Sequence, residues 1–335
     1  MIWFATKPAN RHSVNFRGAR ACDLNQEPPI QVWDHARLSR RGWALFIAMC
    51  LIWGIPYLLI KVAVSDLNPV TLVFFRTVIG AVILLPIAAA RGNLRSLLPY
   101  WRWIVAYTAV EVALPWVLLA TAEQRLSSSL TGLLIAATPF VAVILGLLTR
   151  ADERFDARRL AGLAVGFVGV AALVGLNVAV GDLGAAGEVG LVAVCYAVGP
   201  LIISRRLANL PSLGVVAASL VLPAIVYAPF GLTQLPTAVP PPQVLVSVAL
   251  LGLVCTALAF ILFFALIAEV GPVRATVITY VNPAVALALG VTLLGEPLTI
   301  GAGVGFALIL AGLFLATWRG KRTVSPANEP LVEAR

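Results

Sequence analysis

Long apolar runs separated by short polar breaks dominate the chain from residue 43 onward. The runs lie near 43–64, 69–90, 101–121, 127–149, 160–178, 187–204, 211–231, 243–267, 272–294 and 298–318. Each approaches the roughly 20 residues that a helix needs to cross about 30 Å of hydrocarbon. The breaks hold residues that stop helices or stay in water. Ser65–Asp66–Leu67–Asn68–Pro69 and Arg91–Gly92–Asn93 read as turns, and Pro240–Pro241–Pro242 blocks helix continuation. Between Arg150 and Arg159 seven of ten residues are charged, which places that loop in water. The pattern predicts an all-α polytopic membrane protein with ten transmembrane helices.

Residues 1–40 are polar, Arg-rich and without periodicity. They contain no apolar core of the kind a signal peptide needs and are expected to form a disordered cytoplasmic tail. Residues 319–335 are expected to form a second cytoplasmic tail. The basic residues set the orientation. With the N-terminus in the cytoplasm, 21 of the 24 Lys and Arg fall in inner segments, and only Arg125 falls in an outer loop. Both termini are therefore expected inside, in a multi-pass protein of the plasma or inner membrane.

Composition agrees: 60% of residues are hydrophobic and 12% charged, against about half and a quarter in soluble chains. The net charge of +9 is spread over every inner loop. It is not gathered into the stripe that a nucleic-acid binder presents, so no nucleic-acid partner is expected. Only two histidines occur, His12 and His35, and the four cysteines form no CxxC or Cys/His cluster. No metal site, cofactor or disulfide framework is predicted. No nucleotide-binding or hydrolase motif appears.

The chain also repeats itself. Residues 129–146 and 273–290 align at an offset of 144, matching Pro139 with Pro283 and Gly146 with Gly290. At 143, Glu153 matches Glu296, Gly162 matches Gly305, Gly169 matches Gly312, and Trp53 stands opposite Tyr196. Two five-helix halves, 43–178 and 187–318, follow. Five is odd, so the halves cross the membrane in opposite senses, as in carriers that bind substrate near the midplane between inverted repeats. A repeat that serves packing alone is the alternative.

Leu51–Lys61 (LIWGIPYLLIK), followed by Asn68–Arg76 (NPVTLVFFR), resembles the first two helices of EamA-type carriers. The TP…G…E element (Thr138-Pro139, Gly146, Glu153) ending the fourth run resembles one half of that family's paired signature, and NPxxAxxxG…GE from Asn282 to Glu296 resembles the other. These carriers belong to the drug/metabolite transporter superfamily. The resemblance implies a ten-helix carrier of small metabolites, often an exporter of amino acids or related compounds. The first half departs from the pattern, with Ala151-Asp-Glu-Arg where Leu-Gly-Glu is usual.

Ionisable residues at membrane depth are costly and point to function. Glu111 lies midway along the third run, and Trp103, Tyr107 and Glu111 share a helix face at i, i+4, i+8. Glu111 reads equally as a proton-coupling or substrate-amine site and as a structural carboxylate paired with a neighbouring Arg. Arg76 can hold a substrate carboxylate bidentately, although pairing with Glu111 or a helix end is the favoured reading. Trp53, Tyr57 and Lys61 share a face of the first run. Lys61 is expected to snorkel to the outer interface, and the aromatics serve either core packing or a binding wall. Tyr196, Tyr280 and Asn282 complete the predicted translocation pathway. Trp101 and Trp103 flank Arg102 and read as interface anchors.

Pro139 and Pro283 interrupt their helices and are hinge candidates or simple kinks, with Thr138 and Asn282 placed to satisfy the freed backbone. The GxxxG patterns Gly162–Gly166 and Gly301–Gly305 permit close helix approach within a monomer or in a homodimer. The function expected is secondary transport of a small-molecule substrate across a lipid bilayer, with proton coupling one option. A receptor or scaffold needs no inverted halves. An intramembrane enzyme lacks a membrane histidine and a carboxylate pair.

Overall fold

Local chemistry sets the helix ends. Asn68 caps the second helix by accepting a hydrogen bond from Val70 N at 2.9 Å, with Pro69 at the first helical position. Ser127 caps the fourth by accepting from Leu130 N at 3.2 Å. Pro242 opens the eighth directly after two further prolines. The computed structural model describes residues 39–149 and 157–317. Eight helices are long and apolar enough to cross a membrane: α1 (Arg40–Ala63), α2 (Pro69–Ala90), α3 (Arg95–Glu123), α4 (Ser128–Gly146), α5 (Leu160–Asn177), α6 (Val180–Leu207), α7 (Ser212–Thr233) and α8 (Pro242–Val270). Two shorter apolar helices follow, α9 (Ile278–Leu293) and α10 (Ile300–Ala316). No strand occurs among the described residues.

Two predicted boundaries move. The third helix starts earlier than residue 101, through a 3-10 turn at Arg95–Tyr100, and runs past 121 to Glu123. The ninth is shorter than 272–294, because Pro272–Ala275 forms a separate turn after Gly271, whose φ of 80° is a conformation glycine tolerates. The tail up to residue 38, the tail from 318, and Glu153 with most of its charged loop lie outside the described residues.

Several helices are locally broken. α1 opens into a turn at Trp53–Ile55 immediately before Pro56, and α4 breaks at Ala136–Ala137 just before Pro139. π-helical turns interrupt α3 at Ala109–Ala113, α6 at Ile203–Leu207 and α8 at Leu253–Leu258. Such turns redirect the side chains they carry and often mark functional sites.

Helix pairing follows a simple rule. Extensive packing joins α5 to α10, α2 to α7, α3 to α6 and α1 to α8, while α4 packs about equally on α6 and α9 and α8 also packs on α2. Between α5 and α10 the backbones nearly touch. A Cβ added at Gly169 would fall 2.8 Å from Gly305 O, and one added at Gly162 would meet the backbone of Gly312 and Ala316. The glycine faces predicted from sequence are therefore used within the chain.

Candidate functional site

The helices enclose a cavity of about 240 Å³ lined by α1–α4, α6–α8, α9 and the turn before α9. All the sequence-predicted pathway and hinge residues line it except Lys61 and Tyr280. Trp53 sits at the break in α1, where its ring packs against Phe263 (centroids 4.7 Å apart) and Phe260 (6.0 Å) of α8. Phe260, Phe263 and Phe264 form an aromatic wall that the sequence reading missed, although their i, i+3, i+4 spacing marks one helix face. Tyr57, Tyr107 and Tyr196 add phenols from three helices.

Arg76 is 7% exposed. Its Nε donates to Thr256 Oγ1 at 3.1 Å, and its guanidinium carbon lies 3.6 Å from the centroid of the Trp116 ring. Thr256 sits in the π-turn of α8, where its hydroxyl donates to Leu251 O at 2.8 Å. The pairing of Arg76 with Glu111 is not formed. Arg76 meets a hydroxyl and an aromatic face instead, and Glu111 Oε2 has no hydrogen-bond partner. Glu111 occupies the π-turn of α3, and its carboxylate lies against Gly199 of α6, in space a Cβ there would fill.

Pro139 and Pro283 both line the cavity. Thr138 Oγ1 donates to Ile135 O at 2.8 Å, the carbonyl that Pro139 cannot reach. Asn282, oriented with its NH2 toward these acceptors, reaches Ile278 O (2.9 Å) and Cys50 O of α1 (3.2 Å), so it ties α9 to α1 and does not take up Thr279 O, the carbonyl that Pro283 frees.

Two predicted residues lie elsewhere. Tyr280 packs beside the core cluster built by α4, α5 and α10. Lys61 does not snorkel outward: its ammonium donates to Glu123 O at 2.6 Å and Leu126 O at 2.8 Å, binding the α3–α4 corner. Glu296, after Gly295 (φ 66°), accepts from Ser128 N at 2.7 Å and Ser129 N at 2.9 Å at the start of α4. Glu123 is fully buried beside this corner and was missed because the apolar run ends two residues before it. At the opposite end Trp103 lies beneath Arg206, 4.5 Å from ring to guanidinium carbon, and Trp101 is exposed. Among the described residues no group of three or more His, Cys, Asp or Glu could hold a metal ion.

The cavity lies toward one end of the helices. Its lining reaches Ser212 at the start of α7 and Pro272 ahead of α9, but in the other direction stops at Ile60, Arg76 and Leu119, short of the Lys61–Glu296 corner. The model of the EamA-like transporter family matches the chain twice, over residues 40–175 and 189–318. The chain belongs to that family. This EamA-family protein is thus a multi-pass membrane transporter. It is similar to the uncharacterized transporter YvbV of Bacillus subtilis, with 23% identity over 85% of this chain and 94% of that one. The uncharacterized inner membrane transporter YedA of Escherichia coli K12 is 27% identical, covering 84% of this chain and 94% of that one. A probable amino-acid metabolite efflux pump of Salmonella typhimurium is 23% identical over 83% and 95%. A solved crystal structure superposes with a TM-score of 0.59 at 22% identity, covering 82% of this chain and 96% of the other, which is a likeness of fold.

Chemically, the described lining of the EamA-family cavity offers one cation, Arg76, one carboxylate with an unused oxygen, Glu111, and an aromatic wall. Concave, largely apolar sites with a few placed polar groups are the usual form of small-molecule sites.

Proposed function

We propose that this protein is a secondary carrier that exports amino acids or related zwitterionic metabolites by alternating access between two inverted halves. The observation that carries this reading is the cavity with Arg76 and Glu111 in the same lining. A substrate carboxylate suits the planar guanidinium fork of Arg76. Its ammonium suits Glu111, whose Oε2 lacks a partner, and an apolar side chain suits the wall of Phe260, Phe263 and Phe264.

Helix pairing supports the inverted repeat. Exchanging each helix for the one five places along leaves the pairings α2–α7, α4–α9 and α5–α10 unchanged and swaps α1–α8 with α3–α6. That is the behaviour of two equivalent halves about a pseudo-two-fold axis. The charge distribution supports a direction. Arg205 and Arg206 end α6 toward the end of the cavity that reaches Ser212 and Pro272. With Lys- and Arg-rich loops in the cytoplasm, both termini are inside and the cavity loads from the cytoplasm.

Metabolite profiling of cells with and without the protein identifies the substrate, and counterflow into proteoliposomes tests the assignment. The reading expects saturable exchange of an amino acid or close relative, lost in Glu111→Gln and Arg76→Gln. Full flux in both variants removes these residues from the site.

A further inference from the structure

Glu123 takes no part in the carrier cycle proposed so far. Glu123 is the last residue of α3 and is completely buried, yet neither carboxylate oxygen has a hydrogen-bond partner. Ser128, five residues on at the start of α4, is also completely buried with an unpartnered hydroxyl. Buried polar groups are nearly always paired, and an unpaired buried charge is costly. The ammonium nearest to Glu123 is that of Lys61, which is engaged by the backbone carbonyls of Glu123 and Leu126. The charged and titratable groups within electrostatic reach of Glu123 are Lys61 and Tyr57 from α1, Arg76 from α2, and Glu296 from the α9–α10 connection. Glu296 is held by the amides of Ser128 and Ser129, and Arg125 on the same corner is exposed.

We infer that Glu123 is a proton-binding site that latches the closed end of the cavity, distinct from the substrate group Glu111. While the α3–α4 corner is clamped by Lys61 and Glu296, the carboxyl is neutral and needs no partner. When the corner opens, water reaches Glu123, the Lys61 ammonium turns from the carbonyls to the carboxylate, and the proton leaves to the solution on that side. Closing reverses each step: one proton is taken up from that solution, and Lys61 returns to the backbone. Proton occupancy and closure are therefore reciprocally linked. Leu119, one helical turn before Glu123 on the same face, lines the cavity, so the site sits one turn beyond the substrate chamber. The inference rests on the alternating-access reading above.

The test uses the full chain in lipid nanodiscs. Infrared difference spectra recorded across a pH series report the protonated carboxyl, and hydrogen–deuterium exchange of amides 123–129 reports whether the corner is closed. The expected result is a carboxyl band present in the parent and in Glu111→Gln but absent in Glu123→Gln. Corner protection in the parent, relative to Glu123→Gln at the same pH, falls by up to about tenfold per pH unit above the transition, the limit for one linked proton. Glu123→Gln stays protected throughout. Glu296→Gln is less protected at every pH but keeps the pH dependence. If Glu123→Gln does not fold, Glu123→Asp serves, with the transition displaced. An unchanged pH dependence in Glu123→Gln, an undisplaced transition in Glu123→Asp, or no Glu123 band at any pH overturns the inference. Flux that survives while the corner ignores Glu123 removes the proton site alone. A corner that follows Glu123 in a protein without flux of any tested metabolite removes the carrier reading alone.

Discussion

In the cavity lining Arg76 and Glu111 keep hydrogen-bonding capacity that the fold does not use, whereas at the α3–α4 corner Lys61 and Glu296 are engaged by backbone groups. Arg76 gives one N–H to Thr256 and its face to Trp116. Glu111 rests against Gly199 with Oε2 unpartnered. Lys61, by contrast, binds two carbonyls, and Glu296 binds two amides. Ionisable groups at membrane depth are thus of two kinds here. One kind is shaped for a visitor, and the other joins helices. The difference lies in what each group touches, since both kinds look alike as charges in an apolar sequence.

The largest expected effect breaks the first kind. Arg76→Gln removes a charge-assisted contact worth roughly 1.5–3 kcal/mol. Substrate affinity in a binding or counterflow assay should fall about 10- to 100-fold. Arg76→Lys should recover little of this, because an ammonium has neither the planar fork nor the face that stacks on Trp116. Full recovery with Lys would show that only charge matters there. Next in size is Gly199→Ala, whose methyl group occupies the space of the Glu111 carboxylate. Transport should drop about tenfold, the equivalent of about 1.4 kcal/mol, while thermal stability changes little. Wild-type flux in Gly199→Ala would show that the seat of Glu111 is unimportant.

The contrast between the two regions also shows where sequence reasoning succeeds. Apolar runs of membrane length and their proline and glycine breaks located α1 to α8 because lipid enforces both signals directly. The GxxxG patterns 162–166 and 301–305 signalled close approach, and Gly162 and Gly305 do lie where α5 and α10 pack backbone to backbone. Glu111, Arg76, Tyr57 and Tyr196 were legible as cavity candidates because an ionisable or phenolic group inside an apolar run has few other reasons to be there. The corner was not legible. Lys61 reads as a snorkelling side chain until the carbonyls of Glu123 and Leu126 are placed beside it. Glu123 falls beyond the apolar run, and whether such a residue meets water or protein depends on a tertiary contact 62 positions back in the chain. The π-turns that aim Glu111 and Thr256 have no sequence signature in the pattern of apolar positions.

A smaller effect separates joining from binding. Glu296→Gln keeps an acceptor but loses the charge at the N-terminus of α4, where carboxylates contribute about 1 kcal/mol. The expected outcome is a lower melting temperature in detergent with substrate affinity unchanged. An affinity loss matching that of Arg76→Gln would erase the distinction between corner and cavity.

Pro283 tests whether the cavity moves. It lies inside α9, lines the cavity, and leaves the carbonyl one turn earlier without its usual amide. Its neighbour Asn282 reaches both Ile278 O and Cys50 O, so bending at this point would shift α9 and α1 together. Pro139 stands at the matching place in α4, where Thr138 supplies the missing donor locally. Pro283→Ala restores the helical bond and removes a residue that disfavours an uninterrupted helix. If Pro283 is a hinge, turnover in proteoliposomes should fall about threefold, or about 0.7 kcal/mol in barrier height, with thermal stability equal or higher. Unchanged turnover would make the proline a static kink that shapes the cavity wall. In that case the motion between states must come from helices sliding at the α5–α10 and α2–α7 contacts, as small shear displacements of packed elements.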